Sequence, residues 1–500
     1  MRRAWVAFAV LALALVGACH WLLPERYAVN APVAHMLFGR GTPTPAESTL
    51  QQRLEVPDGL SLGLFARDLP NPRMLRFSDA GDLLVSSPRT GRILLLERDR
   101  DGDGRSDGTR TLIEGLERPH GLDFHDGWLY VAETNGVGRI AFDAATGETR
   151  GVYERIVDGL PGGGNHWSRT LRFGPDGWMY VSIGSDCNVC EESDPRRAAM
   201  LRFHPDGSGE EIVASGLRNS VGFDWQPDTG LLFATDNGRD LLGDDFPPCE
   251  LNQIRPGGFY GWPYANGDRV PDPDFGAGHE DRVRDSIPPV HKFRAHNAPL
   301  GMTFLRASET PPALRGAALV ALHGSWNRTK KDGYKVVSLH WDTDGNVSER
   351  DFLSGFLRDE DVIGRPVDVI QGPDGAIYVS DDFAGAIYRV AAGPAARGAS
   401  VETEEAPRAA DPLASLTNEE RSARADRGRA LFDASGCAGC HDAARAAQGV
   451  TPVPLKGLGS RYSVASLEAF LAAPTPPMPP VEQGAEARRD LAVHLLAAHP

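Results

Sequence analysis

Pro119-His120-Gly121-Leu122-Asp123-Phe124, followed by Asp126-Gly127-Trp128-Leu129-Tyr130-Val131, is the stretch that decides the fold. It reads as a short strand, an Asp-Gly turn and a second strand, a strong hairpin signal. Copies recur on both sides. Upstream, Pro72-Arg73-Met74-Leu75-Arg76-Phe77 precedes Asp79-Ala80-Gly81-Asp82-Leu83-Leu84-Val85. Downstream, Ser168-Arg169-Thr170-Leu171-Arg172-Phe173 precedes Pro175-Asp176-Gly177-Trp178-Met179-Tyr180-Val181. Further copies begin at Arg218, Pro299 and Arg365. Six copies at intervals of about 50 residues predict an all-β six-bladed propeller over 55–392. The first residues of each copy would start the innermost strand. Arg73, His120, Ser168, Arg218, Pro299 and Arg365 are therefore expected to converge near one mouth, in an electropositive pocket.

The flanks divide the remaining chain. Residues 1–23 read as an export signal, with Arg2 and Arg3 ahead of an apolar run. Val16-Gly17-Ala18-Cys19 resembles a lipobox, whereas Trp5–Leu23 retained as an anchor is the alternative. All these readings place the body outside the cytoplasm, in a bacterial periplasm, free or tethered to a membrane. Residues 24–54 read as an irregular linker. A second linker, 393–420, is rich in Ala, Pro and acidic residues. The net charge of -16 argues against nucleic acid as a partner.

A small all-α domain, 421–500, follows. Cys437-Ala438-Gly439-Cys440-His441 has the C-x-x-C-H form of c-type haem attachment. Cys437 and Cys440 would make the thioether links and His441 would ligate the iron. Met478, in a late Pro-rich run, is the expected second axial ligand, with His494 and His499 as rivals. The stretch resembles a class I cytochrome c domain. Of the other cysteines, Cys187 and Cys190 form a local disulfide in one reading, and either pairs with Cys249 in another. Asp99–Asp107 has the carboxylate spacing of a Ca²⁺ loop without its closing Glu, and a solvated hairpin tip is the alternative.

Several separated motifs then carry a family resemblance over nearly all of 55–392. They are Gly164-Asn165-His166-Trp167-Ser168-Arg169, Gly184-Ser185-Asp186-Cys187-Asn188-Val189-Cys190, Gly216-Leu217-Arg218-Asn219-Ser220, Glu250-Leu251-Asn252 with Gly258-Phe259-Tyr260-Gly261-Trp262-Pro263, His323-Gly324-Ser325-Trp326-Asn327-Arg328, and Gly364-Arg365-Pro366-Val367-Asp368-Val369. Together they resemble the sorbosone dehydrogenase branch of the sugar dehydrogenases that use pyrroloquinoline quinone (PQQ).

The resemblance implies that His166 is the base and that Arg218 stabilises charge on the quinone. It implies PQQ contacts from Arg73, Arg218, Asn219, His323, Trp326 and Arg365. It also implies a Ca²⁺ held at Asn237-Gly238-Arg239, with Gly238 and Arg239 as the metal residues. These residue types suit the task, because planar guanidinium matches carboxylates and stacks on rings. Two departures from the glucose-oxidising relatives are Val367, where they carry a second arginine, and Cys249. The expected function is PQQ-dependent oxidation of a sugar or related aldose. Electrons would pass to haem c and on to a soluble cytochrome, a cupredoxin or a respiratory oxidase. The rival reading is a propeller without PQQ that binds a ligand and is fused to an electron-shuttling cytochrome.

Overall fold

The computed structural model describes residues 27–31, 41–308, 310–393, 412–414, 416–442, 445, 455, 458, 462–472, 474 and 478–499. The export signal and most of the second linker lie outside them. Among the described residues no helix is long and apolar enough to cross a membrane. The chain forms two units, residues 1–398 and 399–500.

The first unit is a six-bladed propeller; five blades are four-stranded antiparallel sheets, and the third adds a fifth strand, Gly258–Phe259, parallel to Glu211–Ser215. Blade 1 runs Leu75–Phe77, Leu83–Ser87, Arg92–Leu96 and Thr109–Ile113. Blade 2 runs Leu122–His125, Trp128–Glu133, Gly136–Asp143 and Glu148–Asp158. Blades 3, 4 and 5 open with Arg169–Phe173, Phe223–Trp225 and Pro299–Phe304. Blade 6 takes Pro366–Gln371, Ile377–Asp381 and Ala386–Ala392 from the end of the repeat region. Its outermost strand is Leu60–Ala66 from the beginning, paired antiparallel with Ala386–Ala392. This exchange closes the ring by pairing the two ends of the repeat region. Second strands such as Leu83–Ser87, Met179–Ile183 and Ala318–Leu322 are buried along their whole length, because adjacent blades cover both faces. That explains their unbroken apolar runs where half-buried strands would alternate.

The region read as a linker over 24–54 is partly built into the propeller. Glu47–Arg53 is a helix whose Leu50, with Leu54, joins the apolar cluster around Phe352, Phe356 and Tyr388. Its anchor was hidden because one apolar residue per turn is a weak sequence signal.

The channel carries a ring of buried charge. Asp123, on the inner strand of blade 2, accepts the Phe173 N–H of blade 3 at 2.8 Å. Asp224 of blade 4 accepts Phe304 N–H of blade 5 at 2.8 Å, and Asp368 of blade 6 accepts Leu75 N–H of blade 1 at 2.9 Å. Each aspartate thus stitches its blade to the next. Arg76 is bidentate on Asp123 at 2.8 and 2.9 Å, and Arg306 is bidentate on Asp224 at 2.8 and 2.9 Å. Pairing of this kind is what allows the charges to stay buried.

The second unit is helical: Asn418–Ala434, Ala438–His441, Val464–Ala472 and Ala485–Ala498. Thr417 and Glu420 form a capping box at the first helix. Gly428 lets that helix and the last one meet, since a Cβ there would lie 2.1 Å from the Asp490 carbonyl. Asp490 holds the crossing by accepting from Arg424 and Arg427, each at 2.6 Å.

Candidate active site

The repeat frame shifts the expected ring of first residues. Ser86 N–H donates to Met74 O, Ala132 N–H to Gly121 O and Thr235 N–H to Gly222 O. These equivalent bonds align Arg73 and His120 with Val221. Arg218 therefore does not begin the inner strand of blade 4; it sits three residues earlier, in the entry loop. Val221, Leu300 and Val367 pack together as a buried apolar cluster, so part of the channel wall is uncharged. Val367 thereby finds a structural role as packing.

His166 lies in the loop between Glu148–Asp158 and Arg169–Phe173. The buried Arg169 side chain ties that loop down, donating to His166 O at 2.9 Å, Ser168 O at 2.8 Å and Pro161 O at 2.5 Å. Gly184 makes room for the site, because a Cβ there would meet His166 Cβ at 2.5 Å and Asn219 Oδ1 at 2.6 Å. His166 Nδ1 is 2.9 Å from both the carbonyl and the hydroxyl oxygen of Ser185. A carbonyl only accepts, so Nδ1 carries the proton. The Ser185 hydroxyl gives its own proton to Cys187 O at 2.8 Å, which leaves its oxygen free to accept as well. In the neutral ring Nε2 is then the basic atom. Burial, reinforced by the Arg218 charge, pushes the imidazole down to about 3. The ring is neutral at physiological pH.

Arg218 places all five of its donors. Nε donates to Asn188 O at 2.9 Å, and Nη1 donates to Asn237 O at 3.2 Å and Gly238 O at 2.9 Å. Nη2 donates to Asn188 Oδ1 at 2.9 Å and to Asp240 at 3.0 Å. Its backbone N–H and that of Asn219 are both accepted by Asp236, at 2.9 and 2.6 Å. Arg218 therefore offers the site its charge rather than a spare N–H. The carbonyls expected to hold calcium point at this guanidinium. The Arg239 side chain is tied to Asp272 at 2.6 Å and Asp274 at 2.8 Å.

Across the mouth lies a second cluster. Arg73 pairs with Asp382 at 2.6 Å, and His323 Nε2 lies 2.9 Å from the same carboxylate. Burial pushes the Asp382 carboxyl up, but His323, Arg73 and Arg365 outweigh it and hold the group well below the usual carboxylate range. Burial, then the Arg365 charge, brings His323 down to about 3. Arg73 alone at 2.6 Å suffices to keep Asp382 ionised beside a neutral imidazole. Arg365 donates to His323 O and Gly324 O, each at 3.1 Å, with its guanidinium carbon 5.6 Å from the Tyr334 ring centre. Trp326 is half-buried in the same loop, its carbonyl accepting from Asn30 N–H at 2.9 Å.

Trp167 links the clusters. The Arg118 guanidinium lies 4.1 Å and that of Arg73 5.7 Å from its ring centre, and His120 meets it edge-on at 5.6 Å. The electropositive mouth expected from the repeats is thus present as Arg73, Arg118, Arg218 and Arg365, tempered by Asp240 and Asp382. Sequence reading missed both aspartates and Arg118. Asp240 and Asp382 follow second strands of their blades, a position that the repeat marks but whose direction it does not.

The family model described as glucose/sorbosone dehydrogenase matches residues 127–389. The chain belongs to that family. An uncharacterised protein of Borreliella burgdorferi is 30% identical over 362 residues, covering 69% of this chain and 93% of that one. The pyrroloquinoline quinone-dependent pyranose dehydrogenase of Coprinopsis cinerea is 23% identical over 417 residues, and the match spans 70% of this chain but only 55% of that enzyme. The solved PQQ domain of the Coprinopsis cinerea enzyme superposes with a TM-score of 0.59 at 21% identity, over 68% of this chain and 97% of that one. A calcium structure of a Trichoderma reesei enzyme of Carbohydrate-Active Enzymes Family AA12 gives 0.59 at 22% identity, with the same coverage of this chain and of that one. At such identities these superpositions support the propeller fold.

This glucose/sorbosone dehydrogenase family member also carries a C-terminal cytochrome c domain, matched over 425–489. There Ala438–His441 forms one helical turn, with Cys437 capping it. The turn sets Cys437 and Cys440 three residues apart on one face with His441 beside them. Cys437 and Met478 are partly buried against the same apolar cluster, which includes Phe432, Leu467 and Leu491. The rival His494 packs its ring 5.9 Å from that of Phe432. In the propeller, Cys187 and Cys190 are joined as a disulfide, and Cys249 is a buried free thiol that burial raises to about 11.

Proposed function

We propose that the propeller oxidises a sugar or related aldose with PQQ, and that the electrons pass to haem c on Cys437, Cys440 and His441. The single observation that carries this reading is His166, its Nδ1 proton held by Ser185 and its Nε2 without a hydrogen-bond partner among the described residues, at a mouth ringed by four arginines. A flat polyanion fits that mouth. The buried Arg73 Nε and His120 Nε2 have no hydrogen-bond partner among the described residues, and Trp167 and Tyr334 present aromatic faces beside guanidiniums. Arg73, Arg365, Asn219, His323 and Trp326 would hold the cofactor, which when bound supplies the two-electron acceptor for the substrate hydride.

The chain's own residues do the rest. His166 Nε2 takes the proton from the substrate hydroxyl, while Ser185 holds the tautomer. Arg218, through its charge, favours negative charge growing nearby. Calcium does not fit the site as it stands, because Arg218 Nη1 occupies the Asn237 and Gly238 carbonyls, so no step is assigned to it. The Cys187–Cys190 disulfide and the C-x-x-C-H motif support a periplasmic location.

The test is haem reduction on adding sorbosone or glucose to purified protein, with and without PQQ and Ca²⁺. PQQ-dependent reduction is expected. No reduction across a wide aldose panel, with no quinone retained, would leave the ligand-binding propeller with its cytochrome as the better reading.

A further inference from the structure

The short loop closed by the Cys187–Cys190 disulfide touches both halves of the reacting site. On one side, Cys187 O accepts the Ser185 hydroxyl at 2.8 Å, and Ser185 in turn takes the Nδ1–H of His166. On the other, Asn188 is a clasp. Its carbonyl accepts Arg218 Nε at 2.9 Å and Trp262 Nε1 at 3.3 Å. Its side-chain oxygen accepts Arg218 Nη2 at 2.9 Å and Asp240 N–H at 2.8 Å. Its Nδ2 donates to Asp240 O at 3.0 Å. Every polar atom of the Asn188 side chain is thereby committed to Arg218 or Asp240. The disulfide joins Cys187 to Cys190 and closes a four-residue loop that contains Asn188, so the carbonyl of Cys187 and both acceptors of Asn188 belong to one cross-linked turn. Next to it, Gly164 of the His166 loop lies against Asp186, where a Cβ would fall 1.8 Å from the carboxylate. The two loops fit without slack.

We propose that Asn188, held in the loop that the Cys187–Cys190 disulfide closes, is a positioning residue that fixes the Arg218 guanidinium beside His166. This rests on the function proposed above. Neither Asn188 nor the cysteines need touch substrate. They act through His166 and Arg218, whose alignment matters because small displacements of reacting groups carry large penalties in rate.

The test uses the full-length haem-loaded chain with an artificial electron acceptor, comparing wild type with Asn188→Ala and with the double variant Cys187→Ser/Cys190→Ser. In both variants kcat should fall by about ten- to a hundredfold while KM changes little. The acid limb of the kcat profile should move upward, as the Arg218 charge that helps hold the imidazole down loses its fixed place beside it. A second readout needs no turnover. Imidazole ¹⁵N resonances of the PQQ-free protein should report His166 protonated at Nδ1 in wild type and variants alike, and ring protonation at a higher pH in the variants than in wild type. If wild type oxidises no sugar, the functional reading fails, yet the His166 titration still decides the clasp. Unchanged kcat, KM and His166 resonances in both variants would overturn the proposal. So would activity lost only in proportion to unfolded protein, with the His166 titration unchanged in the folded molecules.

Discussion

His166 Nδ1 is shared between the carbonyl and the hydroxyl of Ser185, both at 2.9 Å. One bond to a carbonyl is enough to settle which nitrogen holds the proton, and a base needs the other. His166→Ala is therefore expected to lower turnover by about 10²–10⁴-fold with quinone binding retained. Ser185→Ala, which keeps the carbonyl and loses only the hydroxyl, should be far milder. Dye-linked turnover and quinone content, measured on the same preparations, check both.

Acid should weaken the propeller through its histidines. His166 and His323 are each held near 3, below the ordinary histidine value, so the folded state binds fewer protons than the unfolded chain. Their contribution is fully present above about pH 6.5 and is lost as pH falls towards 3. Melting temperature followed across that window should fall. In His323→Gln the fall should be shallower, because one of the two groups no longer titrates.

The charged ring makes a stability prediction. Asp123 joins blade 2 to blade 3 and neutralises Arg76. Asp123→Ala removes a buried carboxylate and leaves the partly buried Arg76 guanidinium without its partner, and should destabilise the propeller by about 3–5 kcal/mol, read by denaturant unfolding. The exposed pair Arg284–Asp285 serves as the control, and its removal should change stability by less than about 1 kcal/mol.

For the cytochrome unit, Met478→Ala should lower the haem potential, since loss of a thioether ligand removes what raises it. Redox titration of the haem reads this directly, and the propeller reaction with an artificial acceptor should persist. An unchanged potential and spectrum would show that Met478 is no ligand.

Calcium and Arg218 compete for the same carbonyls, so Arg218→Ala should bind Ca²⁺ more tightly than wild type when PQQ is absent. Calorimetric titration decides this. Weaker binding by the variant would mean that the guanidinium helps build the metal site.

The sequence by itself determined the propeller, its blade count and the haem motif. Each is written locally: an Asp-Gly turn between apolar runs, repeated, or two cysteines and a histidine within five residues. It also singled out His166, Arg73, Arg218 and Arg365. Tertiary structure decided what those groups do. That Leu60–Ala66 closes blade 6, and that Arg218 enters from a loop rather than beginning a strand, depend on pairings between distant residues. The partnership of Arg73 with Asp382 spans most of the propeller's length in sequence. The apolar patch of Val221, Leu300 and Val367 gathers residues from three blades. The His166 tautomer depends on a carbonyl, and backbone carbonyls leave no mark on residue identity. Hydrogen bonds and desolvation act over a few ångströms in space, so only the closed ring could bring these partners together and fix their protonation.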